Sequence, residues 1–142
     1  MNSPDCLLCK IAAGQLRARV VVETANIIGV MNDAEPFARG HVVFFAKRHA
    51  SRLTDMHDED LGEILVVIKR VAAAMQVDDY NVLQNNGALA GQTVFHAHVH
   101  LIPKWSEREG LVYQREPQRD VDHDDVYRRL RKLKDVLSRT AV

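Results

Sequence analysis

Apolar and polar residues alternate along the chain in a way that predicts a sheet with helices. β-Branched and apolar residues crowd two short runs, Arg19 to Glu23 and Ile27 to Met31, on either side of a turn, and this arrangement predicts a hairpin. Further strands are predicted at His41 to Ala46, Asp79 to Gln84 and Thr93 to Ile102. We therefore expect a sheet of five strands.

The other apolar residues predict helices. From about Asp58 to Gln76 they recur at intervals of three and four, which is the spacing of one helix face. These positions are Leu61, Ile64, Leu65, Ile68, Ala72 and Met75. We expect this to be the main helix packed on the sheet. Shorter helices are predicted from Leu7 to Ala13, ending near Gly14, and over about residues 122–138.

Two segments between the predicted strands have the composition of loops. Asn32 to Gly40 contains Pro36, and Asn85 to Gln92 contains two glycines directly before the last strand. Backbone N–H groups of such a glycine-bearing loop can turn inward and bind an anion. The second loop could therefore hold a phosphate, although an ordinary hairpin connection has the same signature.

Three histidines, His96, His98 and His100, alternate with apolar residues in the last predicted strand. Alternation with a period of two places their rings on one face of the strand. His96 and His100 would then lie about 13 Å apart along the strand, so one ion can hardly bind all three. A solvated polar face is the alternative, but a row of titratable rings favours an active site in which the histidines divide the work.

Composition favours a small ligand. The chain has 142 residues, of which 46% are hydrophobic, enough for one domain with its own core. Lysine plus arginine and aspartate plus glutamate both number 19, so no global positive field would attract nucleic acid. The basic run from Arg128 to Lys134 lies among aspartates, and such helix faces are usually only solvated.

The N-terminus and the cysteines are typical of a cytoplasmic protein. Residues 1–5 contain no basic segment followed by an apolar stretch, and no apolar run approaches the roughly 18 residues of a membrane span. We therefore expect a soluble, cytoplasmic protein without a membrane partner. Cys6 and Cys9 form a C-x-x-C pair, which in such a protein more often binds a metal or serves redox chemistry than forms a structural disulfide.

The H-x-H-x-H run followed by Leu101-Ile102, the Asn-x-Gly…Gly-Gln-Thr loop before it, and Gly40-His41 together resemble the histidine-triad (HIT) family of nucleotide-binding hydrolases and transferases. The resemblance is to the bacterial Hint-type branch. It implies an α+β, HIT-like fold: a mainly antiparallel five-stranded sheet, one long helix packed on it, and short N-terminal and C-terminal helices. We expect a single domain over 1–142, with the family core at about 1–105 and a C-terminal extension over 106–142.

The resemblance also implies a reaction. Family members cleave a nucleoside monophosphate from a leaving group on its α-phosphate through a nucleotidyl-histidine intermediate, without a catalytic metal or other catalytic cofactor. His98 matches the nucleophile, which needs one unprotonated ring nitrogen, while its other nitrogen donates to a backbone carbonyl, here that of His96. His100 and His41 match positions that contact the phosphoryl oxygens or the leaving group, where a cationic or donating imidazole stabilises charge.

Further residues match substrate positions of the family. Asp33 matches the contact to the ribose hydroxyls, Asn85 a contact to phosphate or ribose, and Gln92 and Thr93 contacts to the leaving group. Four apolar residues match the walls around the base, although membership of the core is an equally good interpretation of them. They are Leu7, Leu8, Ile11 and Ile28.

Many bacterial members bind zinc at four positions that this chain also fills. The implied ligands are Cys6, Cys9, His49 and His96. Two thiolates and two imidazoles suit tetrahedral zinc, and four protein ligands leave no open position, so the ion would be structural. The alternative is a reduced cysteine pair without a metal and His49 as a surface residue.

The third histidine narrows the reaction, because uridylyltransferase relatives carry glutamine where this chain has His100. The resemblance therefore implies hydrolysis of a purine nucleoside phosphoramidate, such as adenosine 5′-phosphoramidate, by a homodimer. Three alternatives stay open: a nucleotide-binding regulatory or scaffold protein with little turnover, a dinucleoside polyphosphate hydrolase, and a metalloenzyme in which His96 and His98 hold a catalytic ion.

Overall fold

A five-stranded antiparallel sheet is the main element of the protein's computed structural model, which describes residues 5–113 and 116–134. The strands are β1 (Val20–Glu23), β2 (Ile27–Met31), β3 (Val42–Ala46), β4 (Tyr80–Gln84) and β5 (His98–Pro103). They lie in the order β1-β2-β3-β5-β4, and each neighbouring pair is antiparallel. The predicted α+β fold class is therefore confirmed.

The central strand β3 is apolar throughout because both of its faces are covered. All five of its residues are buried, as is most of β2, which it pairs in register. Within that register Gly29 lies opposite Phe44, and a Cβ at Gly29 would lie 2.8 Å from the Phe44 ring. Glycine therefore lets a large aromatic side chain pack across the middle of the sheet.

One face of the sheet packs on α2 (Asp58–Met75), the long helix predicted from the apolar spacing. Its buried face includes Ile64, Val67 and Ile68. Three acidic residues occupy its first turn, where they complement the partial positive charge of the helix N-terminus. The helix ends at Gln76, which has a left-handed backbone (φ 53°).

The opposite face packs on α1 (Leu7–Ala12), the predicted N-terminal helix. Leu8 of α1 joins β2 and β3 residues in a second apolar cluster, which contains Val43 and Phe45. A helix of six residues is unstable alone, so α1 depends on this packing and on contacts made by its cysteines.

Strand β5 begins at His98, so the predicted start at Thr93 is wrong. The N–H of Ala97 donates to the carbonyl of Ala50 (2.6 Å), outside the strand ladders. His96 therefore precedes the strand. His98 and His100 keep the predicted alternation, because they pair with Phe45 and Val43 on the α1 face of the sheet.

The chain divides into two units, residues 1–112 and 113–142. Contacts of the first unit continue beyond residue 105, because Glu109 pairs with Arg39 and the N–H of Gly110 donates to the Phe37 carbonyl. Whether all 142 residues form one domain stays a prediction.

The second unit contains α3 (His123–Arg131), which begins with Asp122 accepting the Asp125 N–H. This short helix confirms the predicted C-terminal helix, whose expected end near 138 lies outside the described residues. Among residues 5–113 and 116–134, no helix is long and apolar enough to cross a membrane.

Candidate active site and metal centre

A cavity of about 680 Å³ opens on the α1 face of the sheet, which is a volume suited to a small ligand. Its apolar side is built by α1 and the facing strands, and its polar side by loop residues and β5. The predicted site residues that line it are Leu7, Leu8, Ile11, Asp33, Asn85, Thr93, His98 and His100. Residues from the whole length of the first unit therefore meet in one place.

Four of the predicted catalytic and substrate-binding residues do not line this cavity: Ile28, His41, Gln92 and His96. Ile28 belongs to the apolar cluster beneath α1, so it supports the wall as core. His41 and His96 are wholly buried. Their rings contact other protein groups, and each has a distinct set of partners.

Gln92 is buried with its amide turned into the protein. Its Oε1 accepts the Gly87 N–H (2.7 Å), while its Nε2 donates to the carbonyls of Ser51 (2.7 Å) and Val94 (3.1 Å). These bonds hold the 85–93 loop against its neighbours. The structure therefore engages the Gln92 amide with protein groups, and the leaving-group contact expected from the sequence stays a prediction.

The ring of His98 has one defined tautomer. Its Nδ1 lies 2.6 Å from the carbonyl oxygen of His96. A carbonyl can only accept, so Nδ1 carries the hydrogen and Nε2 carries a lone pair. The side chain lines the cavity, which gives this imidazole an available nucleophilic nitrogen.

His41 and His100 form a second defined pair. The Phe37 N–H donates to Nδ1 of His41 (3.2 Å), so the hydrogen of the His41 ring is on Nε2 and is donated to Nδ1 of His100 (2.9 Å). The remaining hydrogen of His100 is therefore on Nε2. Burial lowers the pKa of each ring to about 4, with a smaller effect of His98 and His41 on His100. Of the two expected forms of His100, the structure favours the neutral donor at pH 7.

Cys6, Cys9, His49 and His96 form a cluster whose potential ligand atoms all lie within 4.8 Å of one another. Cys9 Sγ lies 3.3 Å from Nδ1 of His49 and 3.5 Å from Nδ1 of His96. The other nitrogen of His96 donates to the Ala46 carbonyl (2.8 Å), which leaves Nδ1 as the acceptor. Burial, opposed by that hydrogen bond and aided by His49 and His98, lowers the pKa of His96 to about 4.

This donor set fits a metal ion, because two thiols and two imidazoles converge and His96 is held in its neutral form. The Ala46 carbonyl accepts from Nε2 of His96, and a hydrogen bond of this kind commonly orients histidines that bind metal ions. The cluster therefore could hold a metal ion, which would connect α1 to the start of β5.

The sequence pattern of the HIT domain family matches residues 13–107. This chain belongs to the HIT family. It is 40% identical over 119 residues to the adenosine 5′-monophosphoramidase HNT1 of Saccharomyces cerevisiae, which covers 84% of this chain and 74% of the relative.

Solved structures of other HIT proteins share the fold. A histidine triad nucleotide-binding protein from Candida albicans is 35% identical, with a TM-score of 0.81 over 95% of this chain and 99% of that one. A Zn-bound histidine triad family protein from Mycobacterium smegmatis is 31% identical, with a TM-score of 0.70 over 93% of this chain and 97% of that one.

In this HIT protein the three histidines of the row face different partners. The His96 ring points to the cysteines and its carbonyl to His98, whereas His100 contacts His41. His96 precedes the strand, yet its ring also lies on the α1 face of the sheet, where it contacts Cys9 and Phe45. The predicted division of labour therefore extends to the main chain of His96.

Phe37 is a cavity residue that sequence reasoning missed. Its ring stacks on His41 (centroids 5.4 Å apart, interplanar angle 18°) and also lines the cavity. The available signal was its position as the one aromatic residue of the otherwise small and polar 32–40 loop. Arg17 also lines the cavity, without any signal in its local sequence.

Proposed function

We propose that this HIT protein hydrolyses the bond between a purine nucleoside monophosphate and a leaving group on its α-phosphate, with adenosine 5′-phosphoramidate as the test substrate. The observation that carries the proposal is His98, whose Nδ1–H is engaged by the His96 carbonyl while its side chain lines the cavity. The relatives named adenosine 5′-monophosphoramidase support it.

The proposed reaction has two displacements. In the first, the Nε2 lone pair of His98 forms a bond to the α-phosphorus, the P–N bond breaks, and the leaving nitrogen takes a proton from solvent to depart as the amine. In the second, water forms a bond to phosphorus and returns its proton to solvent, while His98 leaves with its electron pair. The His96 carbonyl accepts from Nδ1–H throughout and stabilises the positive charge of the intermediate ring.

The other lining residues have separate proposed roles. His100 donates its Nε2–H to a phosphoryl oxygen, with His41 positioned behind it. Asp33 accepts from the ribose hydroxyls, Asn85 donates to the phosphate, and Thr93 contacts the leaving group. The base packs against Leu7, Leu8 and Ile11.

The decisive measurement is AMP release from adenosine 5′-phosphoramidate by the wild type, His98→Ala and His57→Ala. His57 is exposed at the start of α2 and serves as the matched control. We expect His98→Ala to lower turnover by at least roughly three orders of magnitude. AMP binding by calorimetry should be retained in that variant, and His57→Ala should resemble the wild type.

Other outcomes distinguish the alternatives. Full turnover by His98→Ala would refute the proposed role of His98 as the nucleophile. Tight AMP binding without turnover in the wild type would favour a regulatory or scaffold protein, and faster cleavage of a diadenosine polyphosphate would favour the polyphosphate hydrolase.

We further propose that the cluster of Cys6, Cys9, His49 and His96 binds structural zinc. The donor set supports zinc, and the Zn-bound M. smegmatis relative is consistent with it. Elemental analysis of the purified protein should give one zinc per chain in the wild type and much less in Cys9→Ser. A catalytic ion is disfavoured, because four protein ligands leave no position for substrate.

A homodimer is proposed through β4, which lies at one edge of the sheet. Tyr80 and Val82 on this strand are exposed, and an apolar edge strand is a ready site for pairing with a second copy. Sedimentation should give twice the chain mass for the wild type and a monomer for Val82→Lys.

We also propose a cytoplasmic location, since thiolate ligands need a reducing compartment.

A further inference from the structure

We propose that Asn32 is a positioning residue, whose side-chain amide keeps His41 in the tautomer that makes His100 a hydrogen-bond donor toward the cavity. The inference rests on the proposed function, since it concerns the same reaction. It adds a residue outside the histidine row, which lines the cavity beside Asp33 and contacts the buried ring of His41.

The orientation of the Asn32 amide follows from its neighbours. Its Nδ2 lies 3.2 Å from the carbonyl oxygen of Glu35 and 3.3 Å from Nδ1 of His41. Its Oδ1 lies 3.5 Å from the backbone nitrogen of Glu35. A carbonyl accepts and a backbone N–H donates, so Glu35 binds both ends of the amide and directs the NH₂ group toward His41.

The His41 ring therefore faces two donors on the same nitrogen. Nδ1 receives the Phe37 N–H (3.2 Å) and the Asn32 amide. A hydrogen on Nδ1 would oppose both and lose two hydrogen bonds in a wholly buried site, where unpaired polar groups are expensive. The hydrogen stays on Nε2, and His41 donates to Nδ1 of His100 (2.9 Å).

The same asparagine also holds the main chain around His41. Its backbone N–H donates to the His41 carbonyl at 2.9 Å. The ring contact adds to the one from the Phe37 N–H, which belongs to a loop residue whose side chain is half-exposed. Asn32 directly follows β2, so it transmits the rigidity of the sheet to the ring.

The series of hydrogen bonds that begins at Asn32 ends in the cavity. Asn32 donates to His41, His41 donates to His100, and His100 is left with its hydrogen on Nε2 for a phosphoryl oxygen. If the ring hydrogen of His41 were on Nδ1, its Nε2 would accept from His100. His100 would then carry its hydrogen on Nδ1 and present the lone pair of Nε2 to the anionic substrate. The Asn32 amide, together with the Phe37 N–H, thus favours the form of the site that offers a hydrogen-bond donor to negative charge at this point.

Two substitutions separate loss of the donor from its reversal. Asn32→Leu removes the donor. Asn32→Asp keeps the shape but only accepts when ionised, so it favours a hydrogen on Nδ1 of His41. Asn26→Leu is the matched control, because the Asn26 amide donates to Glu63 on α2 and does not line the cavity.

The primary measurement is long-range ¹⁵N–¹H correlation of the imidazole rings in ¹⁵N-histidine-labelled, metal-loaded protein without substrate. The wild type and Asn26→Leu should show His41 and His100 each protonated on Nε2. Asn32→Asp should move the hydrogen of both rings to Nδ1, and Asn32→Leu should give averaged signals from both tautomers.

The kinetic measurement is turnover of adenosine 5′-phosphoramidate. Loss of one oriented donor should lower kcat by on the order of tenfold in Asn32→Leu and on the order of a hundredfold in Asn32→Asp. KM should change by less than about threefold, because the donor acts mainly on charge that develops in the transition state.

Unchanged ring signals in Asn32→Leu would overturn the proposal, as would a wild type with the hydrogen of His41 on Nδ1. Shifted tautomers with unchanged kcat would also overturn it, because the tautomer would then have no effect on the reaction. The imidazole signals are measured without substrate and do not depend on turnover. Absence of activity in the wild type would therefore count against the proposed function, while the tautomers of His41 and His100 would still test the role of Asn32. If Asn32→Asp does not fold, Asn32→Leu still decides.

Discussion

Lowering the pH from 7 to 5 should destabilise the folded protein through the imidazole of His100. Burial, with smaller effects of His98 and His41, lowers the pKa of this ring from 6.5 to about 4. Between these two values the unfolded chain binds a proton at His100 and the folded chain does not. The contribution of this ring to stability is therefore present above pH 6.5 and is lost as the pH falls toward 4.

The magnitude follows from the two proton affinities. Each tenfold difference in proton affinity between the folded and the unfolded chain corresponds to about 1.4 kcal/mol in the free energy of unfolding. Protonation of the unfolded chain is well advanced at pH 5, whereas the folded ring is still mostly neutral. His100 should thus lower the free energy of unfolding by roughly 2 kcal/mol between pH 7 and pH 5.

Urea unfolding of three proteins at both pH values tests this. The wild type should lose roughly 2 kcal/mol more than His100→Gln on going to pH 5, because the amide does not titrate. His57→Gln is the control, since this histidine is exposed and does not line the cavity, and its loss should match that of the wild type. The cluster of Cys6, Cys9, His49 and His96 is unchanged in all three proteins, so its own pH dependence cancels. Equal losses in the wild type and His100→Gln would refute the reasoning.

Four further predictions concern stability. Gln92→Ala removes three hydrogen bonds and should lower the free energy of unfolding in urea by roughly 2–4 kcal/mol; a loss below about 0.5 kcal/mol would contradict the role as a loop anchor. Gly29→Ala places a Cβ against Phe44 and should destabilise by roughly 1–3 kcal/mol. Gly62→Ala, in open space on α2, should stabilise by roughly 0.5–1 kcal/mol, and the same sign for both would argue against the steric account. A chelator should lower the calorimetric unfolding temperature of the wild type but not of Cys9→Ser; equal shifts would contradict the metal site.

The elements that local pattern predicts well are those whose causes are local. The apolar spacing over residues 58–75 and the acidic first turn both belong to α2 itself, and the structure confirms that helix. The β1–β2 hairpin depends on two β-branched runs and the turn between them, and β2 begins and ends where predicted.

The predicted start of the last strand was wrong because a distant hydrogen-bond partner competes with the strand ladder. Alternation continues through His96, yet Ala97 binds the carbonyl of Ala50, and β5 starts only at His98. The buried position of Gln92 also has a distant cause, because its side-chain amide donates to the carbonyl of Ser51. Neither partner can be identified from the neighbouring sequence.

The sequence by itself determined which chemical groups the site contains: the histidine row, the cysteine pair, the carboxylate of Asp33, and the apolar patterns that build a sheet around them. Only the tertiary structure decided what each ring can do. His98 is a lone-pair donor and His100 a hydrogen donor because the His96 carbonyl and the His41 ring bind their Nδ1 atoms. Imidazole tautomers differ little in free energy in water, so the hydrogen-bond partners that folding brings from other segments choose between them.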